Sequence, residues 1–519
     1  MPEPHCRMAE RKEMNMSKMI IKNGALVSSS KVCQKDIYIE NGKIKAIGEP
    51  GDFLDEEKNA EEIYDAKGNY VLPGLIEPHM HIKAPLGGIV DILDFDSASV
   101  CAAYGGVTTF MDFSSTLPGD SLKAAVKTRR EEMQISKLDY SLHCKVVNLA
   151  DAQDIAGAMA AEAAFAKDKN ERTMAAVKEA NERVNSQVKA RLEEIPDIVK
   201  NGKIPTFKLF MTYRKANVMI DDVSMLKVMA AVRDAGGRCG FHAESNAIAE
   251  YNEELFEKEG KLDWSYFAEY KGNLCEAEAV RRVLYYAQLL KAPVYFFHLS
   301  TREAIEAVKE ARKKGVDVIA ETCCHYLAFT KEKNEGKDGI LYLMSPPLRT
   351  KDDQEALWQA VKNDDIKIVS SDNCTFPRAM KEAPLTDNKP DFRKPISGVS
   401  GLEERFGVLM RAVNEGKIGI QDLVRVACEN PAIYFGCGNR KGFLKEGYDA
   451  DIVIVDRMKR VTLNRESLHY PEQLEYALYE DFEVTGYPVT TIRRGEYLVK
   501  DGVYNENASL GLFIERELV

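Results

Sequence analysis

Along this chain, short continuous bursts of apolar, often β-branched residues alternate with longer stretches of helical periodicity. The bursts fall at 71–77, 107–114, 140–147, 206–213, 238–245, 293–300, 316–322 and 366–372. They are not broken by alternate polar positions, which is the pattern of parallel strands covered on both faces. Strands of this kind, eight of them and separated by helices, predict an α/β fold with a closed (β/α)8 TIM-like barrel over residues 73–440. The two ends have another texture. Met19-Ile20-Ile21-Lys22-Asn23-Gly24 and the run from Asp36 to Ile44 read as short strands with Asn-Gly turns, and Asp451 to Asp456, Thr490 to Gly495 and Tyr497 to Gly502 repeat that pattern. Segments 19–72 and 441–505 are therefore expected to pair into a small discontinuous β-sandwich domain, with 1–18 a flexible tail and 506–519 a C-terminal tail.

One stretch breaks the strand spacing. Residues 148–203 are rich in Ala, Glu, Lys and Arg, the strongest helix formers, and predict one or two long helices inserted after the third strand, with a solvated charged face. Charge then narrows the choice of function. With 71 basic against 82 acidic residues the net charge is −11, which argues against a nucleic-acid partner. No run approaches the ~18 apolar residues of a membrane span. The first 18 residues lack an apolar signal core, and the eleven scattered cysteines contain no CxxC pair. Reduced thiols and a cytoplasmic enzyme are the expectation.

Histidine is scarce, with eight in the whole chain, so its placement is informative. His79 and His81 follow the first barrel strand at a spacing that points both rings the same way. His242, His298 and Asp372 each end an apolar strand, and in a barrel all strand C-termini face one mouth. Neutral imidazoles with a carboxylate are ligands for divalent metals such as zinc, manganese or cobalt. Lys208 lies inside Thr206-Phe207-Lys208-Leu209-Phe210-Met211, where burial favours the neutral amine. A neutral amine can capture CO2 as a carbamate whose two oxygens bridge two metals. Cys323-Cys324-His325, His143, His469, His5, Trp264 and Trp358 are read as structural or exposed.

In this order the residues resemble the amidohydrolase superfamily, and within it the dihydropyrimidinase/hydantoinase family of cyclic amidases. The likeness runs from about 19 to 505 and includes Pro73 to His81, Gly105 to Phe113, Phe207 to Tyr213, Glu321-Thr322-Cys323, Ser345-Pro346-Pro347-Leu348-Arg349, Ser371 to Cys374 and Gly398 to Arg405. It implies one metal held by His79, His81, the Lys208 carbamate and Asp372, and a second held by the carbamate, His242 and His298, with zinc the usual ion. It implies Asp372 as proton carrier, Tyr213 as donor to the substrate carbonyl, and contacts to a cyclic ureide or imide from around Ser345 and Ser400. Opening of a hydantoin or 5,6-dihydropyrimidine to an N-carbamoyl amino acid is the expected reaction, in a homotetramer or homodimer.

Two positions depart from the family pattern. Ser400 stands where an asparagine is usual and Asn373 where a histidine commonly follows the aspartate. Allantoinase, dihydroorotase and cyclic imidase share the mechanism, although dihydroorotases typically carry arginine at the place of Lys83. A non-catalytic scaffold of the same fold is the alternative from another class, against which all six ligand positions and Tyr213 are filled.

Overall fold

The computed structural model describes residues 18–86, 89–385 and 389–518. His5 and all but the last residue of the expected 1–18 tail lie outside them. Eight parallel strands form one sheet in sequential order: β1 (Leu75–Glu77), β2 (Val107–Phe113), β3 (Asp139–Val146), β4 (Thr206–Phe210), β5 (Arg238–His242), β6 (Val294–Phe296), β7 (Val318–Cys323) and β8 (Ile368–Ser370). Buried side chains line nearly every strand position, as continuous apolar runs require. The ring is drawn together between β8 and β1 by side chains. The Arg405 guanidinium donates to the carbonyls of Ile76 at 2.9 Å and Val369 at 3.2 Å, and pairs with the buried Glu77 carboxylate at 3.3 Å. Beyond the strand ends, the His81 amide donates to the Asn373 carbonyl at 2.7 Å.

The stretch 71–77, expected as one barrel strand, is two. Tyr70–Pro73 pairs antiparallel with Ile452–Leu463 and parallel with Lys18–Val27 in the terminal sheet, and only Leu75–Glu77 enters the barrel. The chain changes sheet at Gly74, which runs so close to β2 that a Cβ there would sit 2.2 Å from the Thr108 hydroxyl oxygen. The terminal sheet has nine strands drawn from both ends of the chain. Ile21, Ile37 and Ile39 from the first half and Ile452, Ile454 and Ile492 from the second share one buried cluster, forming the β-sandwich beside the barrel.

The insertion is two helices, α1 (Ala152–Lys167) and α2 (Glu171–Lys200), the second opened by an Asn170 capping box. Val188, Ile195, Ile198 and Val199 of α2 join the barrel core, while most of α1 and the outward face of α2 are in water.

The C-terminal segment is not a free tail. Tyr140 donates its amide to Leu512 at 2.9 Å, Ile514 returns a bond to Tyr140 at 2.7 Å, and the buried Arg516 donates from Nε to Ser141 Oγ at 2.8 Å. Gly511 is placed where a Cβ would lie 1.7 Å from the Leu138 carbonyl oxygen. An added strand edge and a buried guanidinium therefore fix this segment against β3.

A buried charge cluster joins sandwich to barrel. Lys441 Nζ reaches Asp139 at 2.5 Å, Asp451 at 2.6 Å and Asp449 at 3.0 Å, all but fully buried. Burial alone would raise the Asp139 carboxyl, but Lys441, Arg494 and Arg493 hold it well below the usual range. Replacing Lys441 with methionine leaves Asp451 without a cation and takes one from Asp139 and Asp449, which keep Arg494 and Arg440, and it is expected to lower unfolding free energy by about 3–5 kcal/mol. Urea denaturation at pH 7 measures it. A depressed folded pKa contributes stability above the unfolded value that is lost as pH falls, so the difference between variant and wild type should shrink on acidification.

Candidate metal centre

Each predicted ligand lies at or near the C-terminal end of a barrel strand. His79 and His81 follow β1, Lys208 is in β4, His242 is the last residue of β5, and His298 and Asp372 lie two residues past β6 and β8. Asp372 Oδ1 is 2.9 Å from His79 Nε2 and 3.2 Å from His81 Nε2, and the three ligand atoms lie within 4.8 Å of one another. Lys208 Nζ is 3.0 Å from the same His79 nitrogen. The His242 and His298 rings meet edge to face with 4.5 Å between centroids, and the His298 ring is 5.4 Å from that of His79.

The electrostatics of this group favour metal ligation. Burial pushes His81 down to about 3, lowers His242 and holds His298 well below the ordinary value, so these imidazoles keep a free lone pair. Burial also lowers His79, with Lys208 acting the same way, but Asp372 and Glu321 together outweigh them and raise the ring. Burial would raise Asp372; His79 and His81 hold it well below the carboxylate range. Lys208 sits 4.1 Å from the Phe113 ring and 4.7 Å from Phe297, and burial draws its amine down to about 8 against the pull of Asp372. Four imidazoles, a carboxylate and a readily neutralised amine aimed at one small volume are the donor set of a pair of divalent ions. Backbone strain gathers here too, since Tyr213, His298 and Asp372 hold left-handed φ values of 68°, 40° and 47°.

Three supporting residues had not been singled out as parts of the site. Glu321 Oε1 is 2.7 Å from His79 Nδ1, which orients the ring and leaves Nε2 for the centre. Glu244 Oε2 is 2.7 Å from His242 Nε2, which leaves Nδ1 as the nitrogen this ring can offer a metal. Lys271 Nζ donates to Glu244 at 2.7 Å and to Ser345 Oγ. Glu244 carries a signal in retrospect, since it follows His242 at the same two-residue spacing as the first histidine pair. Glu321 lies in a motif noted for its resemblance, without a role. Lys271 is remote in sequence and gave none.

A cavity of about 930 Å³ opens above the centre, lined by His81, Lys208, Tyr213, His242, His298 and Asp372, with Ser345 on its wall. Tyr213 packs 5.2 Å from the His242 ring, and burial raises its phenol, so the hydroxyl remains a donor. Ser345 Oγ is engaged by Glu244 at 2.9 Å, which leaves its backbone to meet a substrate. Ser400 does not reach the cavity with its side chain. Its Oγ donates to Glu404 at 2.9 Å, and Gly398 and Val399 form that wall instead. Asn373, the other departure, is fully buried and accepts from Thr375 Oγ1 at 3.2 Å behind the wall.

The remaining candidates lie outside the cavity. His143 is bonded to Thr206 at 2.7 Å and to the Pro78 carbonyl at 2.9 Å, and His469 stacks on Tyr104. Trp264 packs in a separate buried cluster and Trp358 donates to the Leu327 carbonyl. Cys323 comes near His79 and Glu321, but burial holds its thiol well above the ordinary value, so no thiolate is offered. The described cysteines form no disulfide, and all but Cys33 are buried. Lys83 is exposed and not on the cavity wall.

Comparison with known proteins gives the family. The sequence model of the amidohydrolase family matches residues 70–498. The D-hydantoinase of Ralstonia pickettii is 34% identical over 502 residues, 96% of this chain and 98% of that one. The D-hydantoinase of Geobacillus stearothermophilus is 31% identical over the same length, covering 96% of each. Among solved structures, the dihydropyrimidinase of Brevibacillus agri superposes with a TM-score of 0.84 at 31% identity, covering 96% of this chain and 99% of that one.

Proposed function

The chain belongs to the amidohydrolase family, in its dihydropyrimidinase/hydantoinase branch, and from that premise we propose that it opens hydantoins and 5,6-dihydropyrimidines at a C–N amide bond to give N-carbamoyl amino acids. The observation that carries this reading is the convergence of His79, His81, Lys208 and Asp372 on one point, with His242 and His298 alongside, at the floor of a cavity that Tyr213 overlooks. His79, His81 and Asp372 would hold one divalent ion, His242 and His298 the other, and a carbamate on Lys208 would bridge them. Zinc suits this donor set, as do manganese and cobalt. When bound, such a pair supplies Lewis acidity and makes water a nucleophile near neutral pH.

The chain's own groups account for the rest. Asp372 accepts the proton of the attacking water and returns it to the ring nitrogen as the C–N bond breaks. Tyr213 donates its hydroxyl to the oxygen on which charge develops. The main chain at Ser345 and along Gly398 to Ser400 holds the ring edge, which needs no side chain from Ser400. Glu321 and Glu244 fix the rings of His79 and His242. The buried free thiols fit a reducing cytoplasm, and the family likeness favours a homotetramer or homodimer. Among the described residues, no helix is long and apolar enough to cross a membrane.

The test is hydrolysis of hydantoin, 5-phenylhydantoin, dihydrouracil, allantoin, dihydroorotate and succinimide by the zinc-loaded, bicarbonate-treated protein, with a chelator-stripped control. Turnover of the first three that disappears on stripping is expected. Turnover of allantoin or dihydroorotate alone would reassign the substrate, and silence across the panel would overturn the reading.

A further inference from the structure

The cavity is much larger than a bare five- or six-membered ring, so its far wall bears on what the ring carries. Strand order places β3 across the barrel from β7. The loops that follow β7 and β8 bear Ser345 and Gly398, the wall assigned above to the ring edge. A substituent pointing away from that wall meets the ends of β2 and β3, where Ser114, Thr116 and Lys145 line the cavity. Lys145 is the direct partner of Lys208 across the β3–β4 ladder. Paired residues on parallel neighbours extend from the same side of the sheet, about 4.8 Å apart, so both lysines face the cavity.

Lys145 differs from the other cations of this wall. Arg129 is tied to Asp112 at 2.5 Å and Glu132 at 2.7 Å. Lys271 is bound to Glu244, Lys215 to Glu253, and Arg393 to Asp391 and Glu257. Lys394 reaches Asp391 at 3.8 Å. Apart from Lys208 in the metal centre, Lys145 is the one lining cation that pairs with no carboxylate among the described residues. The nearby charges are Arg129, Asp112 and Asp120, and Arg129 already takes up Asp112. Two hydroxyls complete the corner: Ser114 Oγ accepts the Lys145 amide at 2.9 Å and is 3.0 Å from Thr116 Oγ1. A partly buried ammonium with hydroxyls beside it and no anion of its own lacks one partner, and a carboxylate supplies it.

We propose that Lys145, with Ser114 and Thr116, forms a carboxylate-binding subsite, so that the preferred substrates are cyclic ureides whose ring substituent ends in a carboxylate. This rests on the reading of the site as a cyclic amidase. The subsite selects substrates and takes no part in bond breaking.

The experiment compares 5-(2-carboxyethyl)hydantoin with its neutral amide, 5-(2-carbamoylethyl)hydantoin, on zinc-loaded wild type, Lys145→Met and Lys145→Arg. A charge-assisted contact predicts a preference in kcat/KM of about 10- to 100-fold for the carboxylate on wild type. The preference should fall to about one in Lys145→Met and be largely kept in Lys145→Arg. A wild-type ratio near one, or a preference that survives in Lys145→Met, overturns the subsite. Equal losses on both substrates in Lys145→Met, with a wild-type ratio near one, would assign the lysine to support of Lys208 instead. If neither ring is opened, calorimetric binding of the same two compounds to the same protein gives the ratio directly. A binding preference without turnover keeps the subsite and overturns the reaction.

Discussion

Replacing Lys208 with alanine is expected to remove bound metal and activity together, lowering kcat/KM by more than about 10⁴-fold. Carbonyl polarisation and water activation by the ion pair are each worth several kcal/mol, and every 1.36 kcal/mol is a factor of ten. The side chain has no structural duty that would produce the same loss by unfolding. It sits among Phe113, Phe210 and Phe297 with a hydrogen bond to the ligand His79, and its removal relieves a desolvated charge. The metal-free variant should therefore keep the thermal transition of the metal-free wild type. Elemental analysis and kcat/KM read the main effect. Short carboxylic acids should partly restore both by filling the space of the carbamate, and a variant with full metal and full activity would remove the bridging role of Lys208.

Asp372→Asn is expected to lower kcat by about 10²–10⁴-fold, the usual contribution of a positioned proton carrier. The substitution suits the site. Asparagine keeps the size and an oxygen toward His79 and His81, and it tolerates the left-handed backbone at this position, where φ is 47°. What it loses is the carboxylate that His79 and His81 hold ionised despite burial. Metal content measured alongside separates loss of ligation from loss of proton transfer. A kcat within tenfold of wild type at full metal occupancy would place the proton carrier elsewhere.

Much of this was legible because two periodicities are strong in the chain. Parallel strands covered on both faces must be apolar throughout, so eight continuous bursts announced the barrel, and a barrel brings all strand C-termini to one mouth. His79, His81, His242, His298 and Asp372 could be gathered on that argument, and Lys208 stood out as a charge in an apolar strand. The same continuity hid the division at Gly74, because an unbroken apolar run does not say which sheet each half joins.

What the sequence by itself determined about this protein is its barrel, its β-rich ends, and the polar residues that the strand ends bring to one mouth, all of which follow from local pattern and strand direction. Only the tertiary structure decided the contacts between residues far apart in the chain. It set Glu321 behind His79 and Lys271 beside Glu244, turned Ser400 toward Glu404, and bound the C-terminal segment to β3. It also left Lys145 facing the cavity without a carboxylate. A charged side chain takes its partner from whatever the packed fold brings within a few ångströms, and that is a property of the assembled core rather than of the neighbouring sequence.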